Sequence, residues 1–200
     1  MWSSKIEHPI VFVFNTPRSG STLFQMILNT HPNLWTTKEF HILPFSTLAE
    51  WRQWTRGGVY EEPLIGGIHE LMEDGASFDD ARICVDAWPD AFRIRDVYLY
   101  LQERAAPVLL VDKSPANAEH ANFLRMACHG WEGASFIHLF RHPIPAIAST
   151  IELQKSIAVT QGLAQSFREE EHYAACERIW VEGNANSLVA RTRTSHLVIL

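Results

Sequence analysis

An α/β fold built on a central parallel sheet is predicted by three observations. Short continuous apolar runs occur at 10–14, 108–112 and 134–140, rich in β-branched and aromatic residues and without polar alternation, as strands covered on both faces are. Stretches at helical spacing separate them, so the strands are joined by crossovers and run parallel. Cations, hydroxyls and an imidazole gather just after the runs end, at the edge where open α/β sheets bind ligands.

Composition narrows the possibilities. With 200 residues, 46% of them hydrophobic, the chain has the material for one domain over 1–200 with a sizeable core. A net charge of -6 does not supply the electrostatic footprint of a nucleic-acid binder. The three cysteines, Cys84, Cys128 and Cys176, are scattered and odd in number, which fits neither a disulfide framework nor a zinc site. No apolar run reaches the length of a membrane span and no secretory h-region opens the chain. A cytoplasmic protein is expected.

Taken in order, a polar lead-in over 1–9 precedes the strand at 10–14. Thr16-Pro17-Arg18-Ser19-Gly20-Ser21-Thr22 then breaks the run, and Leu23, Met26, Ile27 and Leu28 resume at helical spacing. A helix starting in this loop aims unpaired N–H groups and its positive dipole end at whatever lies beyond the strand, which makes the loop an anion site. It is not the nucleotide-triphosphatase loop GxxxxGK[ST], since the first glycine and the lysine are missing and the cation is Arg18. A short strand is predicted over 34–37, with Glu39 and His41 just past it. The segment 46–92 is acidic and reads as a helical excursion forming a lid or acceptor-side wall. In it Trp51 and Trp54 share a face with Leu48, and Gly57-Gly58 and Gly66-Gly67 mark turns.

A helix over 94–104 with Val97, Tyr98 and Leu101 on one side leads to the strand at 108–112, after which come Lys113 and Ser114. A helix over 118–128 and the strand at 134–140 follow, then Arg141 and a helix over 144–157 that starts beside a proline and carries Ser149 about two turns in. A long helix over 167–191 is expected to turn Tyr173, Cys176, Ile179, Trp180 and Leu188 inward, and a last strand begins at 197. His31, His138 and His142 read as structural. His41 is the candidate general base, because imidazole titrates nearest neutrality, and Glu39 would orient its ring. Asp112 at a strand end leaves open a kinase or magnesium-dependent nucleotide module.

The Pro17-Arg18-Ser19-Gly20-Ser21-Thr22 loop resembles the 5′-phosphosulfate loop of sulfotransferases that use 3′-phosphoadenosine 5′-phosphosulfate (PAPS). Leu139-Phe140-Arg141-His142-Pro143 with Ser149 resembles their 3′-phosphate motif, departing from the commonest cytosolic pattern at His142 and Pro145. Glu39-Phe40-His41-Ile42-Leu43-Pro44-Phe45 and Asp112-Lys113-Ser114-Pro115 are similar to the sulfotransferase domains of curacin- and olefin-type polyketide synthases. The resemblance implies a P-loop-like three-layer fold, PAPS as co-substrate, no metal, and a domain that continues beyond the last strand, so that this chain lacks its C-terminal part. Arg18, Ser19, Gly20, Ser21 and Thr22 would hold the 5′-phosphosulfate, Arg141 and Ser149 the 3′-phosphate, and Lys113 the transferring sulfonate. The implied acceptor is the β-hydroxyl of an acyl chain on an acyl carrier protein, with a free small molecule or saccharide as the alternative.

Overall fold

The computed structural model describes residues 10–55, 60–118, 124, 131, 133–161, 168–191 and 197–199. Five strands, β1 Ile10–Asn15, β2 Leu34–Thr36, β3 Leu109–Lys113, β4 Ser135–Leu139 and β5 Leu197–Ile199, form one sheet in the order β2-β3-β1-β4-β5. Every pairing is parallel, with Ile10 opposite Leu110, Phe12 opposite Phe136 and Trp35 opposite Leu110. The described residues also include seven α-helices: α1 Ser21–Leu28, α2 Leu48–Thr55, α3 Glu62–Glu70, α4 Phe78–Asp86, α5 Ile94–Ala105, α6 Pro143–Thr160 and α7 Glu169–Arg191. A 3-10 turn spans Pro115–Ala118. Helices α2 to α4 form the expected insertion between β2 and α5.

The central strand is apolar because both its faces are covered. Phe12 meets Tyr98 of α5 at 5.6 Å, Trp131 at 5.7 Å and Phe136 at 5.9 Å between ring centroids, and Phe14 meets Phe136 at 5.5 Å. All five rings belong to one buried cluster that continues through Val97 and Leu101 into the insertion at Leu48, Trp51 and Leu64. Truncating a ring so enclosed costs about 3–5 kcal/mol. Local signals fix the ends of the helices. Ser77 and Asp80 cap α4 reciprocally at 3.2 and 2.8 Å, and α6 opens on Pro143, where a missing N–H costs nothing.

The elements differ from the sequence expectations in three places. Gly66 and Gly67 do not make a turn; both are buried inside α3, for a packing reason set out below. Of the α7 residues expected inward, Cys176 is buried and Trp180 half-buried, whereas Tyr173, Ile179 and Leu188 are exposed. That helix packs chiefly on α6, where Cys176 and Trp180 join Ile147 and Ile151, so only a narrow stripe is covered. Trp54 does not share the buried face of Leu48 and Trp51; it is 50% exposed and lies tilted against Tyr60, with ring centroids 4.8 Å apart. The helix expected over 118–128, the turn at Gly57-Gly58 and Cys128 lie outside the described residues, apart from Ala118 and the core residue Leu124. Cys84 and Cys176 are free thiols. No helix among the described residues is long and apolar enough to cross a membrane.

Candidate active site

Because all strands point the same way, the segments leaving β1, β2, β3 and β4 emerge on one edge. There they enclose a cleft of about 550 Å³ whose walls include Arg18, Gly20, Thr22, Glu39, His41 and Arg141.

One end of the cleft is the loop between β1 and α1. Arg18 has φ +63° and Gly20 φ +87°, left-handed conformations that turn the chain tightly; Gly20 adopts this readily and Arg18 at a cost. Inside the turn Thr16 Oγ1 and Ser19 Oγ lie 2.9 Å apart, and the Ser19 amide donates to the Thr16 carbonyl at 3.3 Å. The first intrahelical bond runs from the Phe24 amide to the Gly20 carbonyl at 3.0 Å, so the amides of Ser21, Thr22 and Leu23 precede the helical ladder and remain for an anion. The second phosphate motif is bonded directly to the first: Arg18 Nε donates to Ser149 Oγ at 2.9 Å, and Arg141 Nη1 donates to the Arg18 carbonyl at 2.8 Å. Trp180 Nε1 in turn donates to the Arg141 carbonyl at 3.0 Å. Two guanidiniums, a hydroxyl and free helix amides thus converge, a donor set suited to a doubly phosphorylated ligand.

The other end holds the titratable pair. His41 Nε2 lies 3.7 Å from Glu39 Oε2. The histidine has φ +52°, and its Nδ1 is buried without a hydrogen-bond partner among the described residues. A strained backbone and an unsatisfied buried nitrogen on one cleft residue are costs that packing for its own sake would avoid. Tyr60 stands edge-on to the imidazole at 5.7 Å, and Trp54 lies at 6.5 Å. Lys113, expected to reach a transferring group, is 2% exposed and is absent from the cleft wall; its ammonium donates to Glu39 Oε1 at 2.5 Å. It acts from behind the carboxylate.

Asp112 lies deeper still. It is fully buried and accepts from Tyr98 at 2.5 Å, Ser114 at 2.9 Å, Asn117 at 3.3 Å and Thr37 at 3.4 Å. Burial raises its carboxyl above the ordinary value, opposed by those hydrogen bonds. Burial also raises the Tyr98 hydroxyl well above its usual range, and the Asp112 charge adds to this. A carboxylate so enclosed ties β2, β3 and α5 together rather than facing a cleft-bound cation, which removes the support for the kinase reading. No group of three His, Cys, Asp or Glu among the described residues could hold a metal ion.

The ten predicted site residues gather at one sheet edge, with Ser19, Ser21 and Lys113 buried there. Tyr60 and Leu153 also line the cleft and carried no signal, each being an isolated residue in a segment without a motif; Leu23 and Pro115, which line it too, adjoin or end motifs read from the sequence. His138, read as structural, is bonded to Asn184 at 2.9 Å in the interior.

The model of the sulfotransferase family matches residues 9–195. Among solved structures, the sulfotransferase domain from the Synechococcus PCC 7002 olefin synthase superposes with a TM-score of 0.83 at 30% identity, covering 100% of this chain and 69% of that one. The sulfotransferase domain from the curacin biosynthetic pathway gives 0.81 at 30% identity, covering 96% and 66%. Sulfotransferase STF9 from Mycobacterium avium, at 0.56 and 16% identity over 98% of this chain and 59% of that one, shares the fold. The chain thus spans about two thirds of the first two domains. No curated protein sequence matches it.

Proposed function

Because this chain belongs to the sulfotransferase family, we propose that it transfers the sulfuryl group of PAPS to a hydroxyl, the β-hydroxyl of an acyl chain carried on an acyl carrier protein. The observation that carries this reading is the joining of Arg18, Arg141 and Ser149 to one another at the N-terminus of α1, across the same cleft as Glu39 and His41.

In the proposed reaction the acceptor oxygen attacks sulfur in line with the bridging oxygen to the 5′-phosphate. The S–O bridge breaks and its electron pair leaves on the phosphate as 3′-phosphoadenosine 5′-phosphate (PAP). The acceptor proton passes to His41, and Glu39 stabilises the imidazolium. Arg18 and the amides of residues 19–22 meet the charge that grows on the leaving phosphate, while Arg141 and Ser149 hold the 3′-phosphate. Lys113 holds Glu39 in place through their ion pair. Leu23 and Leu153, apolar and on the cleft wall, suit an acyl acceptor better than a saccharide, and the insertion supplies the acceptor-side wall through Tyr60.

The test is calorimetric titration with PAP and, separately, with ATP and magnesium. Saturable PAP binding that Arg141→Ala weakens by about ten- to a hundredfold is the expected result. Binding of ATP–magnesium without PAP would overturn the reading. Comparing β-hydroxyacyl groups on carrier protein with the same acids free in solution then tests the acceptor: equal rates would remove the carrier from the proposal.

A further inference from the structure

We propose that helix α3 is the template on which the proton-transfer segment is set, with Gly67 and Glu70 as positioning residues for Glu39 and His41. The inference rests on the reading of those two as the acid–base pair. It begins from an anomaly: glycine is unfavourable in a helix interior, yet α3 carries two in succession, both buried. They are not equivalent. A Cβ on Gly66 would meet Lys38 Nζ at 3.6 Å and Phe78 Cε2 at 3.8 Å, ordinary contacts. A Cβ on Gly67 would stand 2.6 Å from Cζ and 2.7 Å from Cε1 of Phe40. Only at Gly67 must the helix be bare.

Phe40 is the residue between Glu39 and His41. Its ring is fully buried and tilted against Trp35 at 6.4 Å, so it has no open space to swing into, and a push on the ring passes to its backbone. Its neighbour His41 already holds φ +52°. One turn along α3, Glu70 grips the same segment at two more points, accepting from Trp35 Nε1 at 3.1 Å and pairing with Lys38 Nζ at 3.7 Å. Lys113 grips Glu39 from the side of β3 at 2.5 Å. The segment is therefore clamped between the sheet and the inserted helix, and the clamp closes only because position 67 lacks a side chain.

A methyl group at Gly67 requires Phe40 to retreat by about 1 Å to reach ordinary contact distance, and a displacement of that size at a reacting group costs on the order of a hundredfold in rate. The experiment compares Gly67→Ala with Gly66→Ala, which makes the same chemical change on the same helix without the clash. Three quantities are read: kcat with PAPS and a β-hydroxyacyl pantetheine thioester, the Kd for PAP, and the His41 imidazole resonances by NMR. Gly67→Ala is expected to lower kcat by about ten- to a hundredfold and to move the His41 resonances, with PAP affinity unchanged; Gly66→Ala leaves all three as in the wild type. Adding Phe40→Leu to Gly67→Ala shortens the ring's reach and recovers kcat. Should Gly67→Ala not fold, the exposed Glu70→Gln is expected to move the same resonances and lower kcat by a smaller factor. Indistinguishable resonances and kcat in the two alanine variants, or a loss of PAP affinity parallel to the loss of kcat, overturns the proposal. His41→Ala separates the two levels: an unchanged kcat there refutes the acid–base reading itself. If the thioester is not sulfated by the wild type, the resonances alone decide.

Discussion

The two ends of the cleft are built by different means. The proposed phosphate end is made of two short motifs, each compact in sequence though 123 to 131 residues apart: a seven-residue loop with the first amides of the helix it starts, and an arginine and serine on one short stretch around the start of α6. Its cations are accessible, Arg18 bonded to the Ser149 hydroxyl and Arg141 to the Arg18 carbonyl. The proton-transfer end depends on residues far apart in the chain, with Lys113 behind it, Tyr60 beside it and α3 against it. The first kind of site binds through charge and backbone geometry; the second depends on how the rest of the protein packs.

That division predicts separable defects. The largest is expected at His41, where His41→Ala lowers kcat by on the order of 10²–10⁴-fold and leaves PAP affinity intact, read by kinetics beside calorimetry. Parallel losses would erase the distinction. Next, Glu39→Ala strands the Lys113 ammonium at a site 2% exposed, costing about 3 kcal/mol of stability in urea unfolding. Arg18→Ala, at an exposed residue, stays within about 0.5 kcal/mol of the wild type. Similar midpoints for the two would contradict the contrast. Trp180→Phe removes the N–H that steadies the Arg141 carbonyl while keeping an aromatic ring; a loss of about 1 kcal/mol appears as roughly a fivefold rise in the Kd for PAP.

The smallest effect is one of pH and concerns the rear of the phosphate end. Burial holds the His138 imidazole below its ordinary value of 6.5, against the opposing bond to Asn184. In the unfolded chain the ring takes its proton near 6.5, and in the folded chain only at lower pH. Between those points the unfolded state binds more protons, so this contribution to stability is present above 6.5 and lost as pH falls through the depressed value. Unfolding midpoints of wild type and His138→Gln across that interval measure it, and an equal slope in both would refute it.

The same contrast explains what was legible in the sequence. Uninterrupted apolar runs announce strands buried on both faces, and the β1 loop announces itself because its special residues are adjacent. Arg141 and Ser149 are visible as a pair only through the resemblance of their stretch to the 3′-phosphate motif of sulfotransferases. Glu39 and His41 are legible only as residues following a strand. The burial of Lys113, the place of Tyr60 and the packing of Gly67 were not legible, since each depends on a partner distant in the chain, 74 residues away for Lys113, with no local mark. Gly66-Gly67 reads as a turn by local rules; a helix wins there because Phe40 needs the space. The exposed residues of α7 were misread for a related reason: an apolar pattern does not say how wide a neighbour will cover it.

The sheet order has a consequence for how the chain comes into being. Strand β1 precedes its partners by 100 residues or more, yet it sits in the middle of the sheet, with Ile10 beside Leu110 and Phe12 beside Phe136. Its two partners are synthesised later, so one of the most apolar stretches of the protein waits unpaired until they have emerged. Long-range parallel pairing of this kind folds slowly and exposes sticky intermediates. The β1–α1 loop, readable from seven adjacent residues, is fixed in place only once β3 and β4 have been made, and chaperones that shield β1 until then would govern the yield of folded protein.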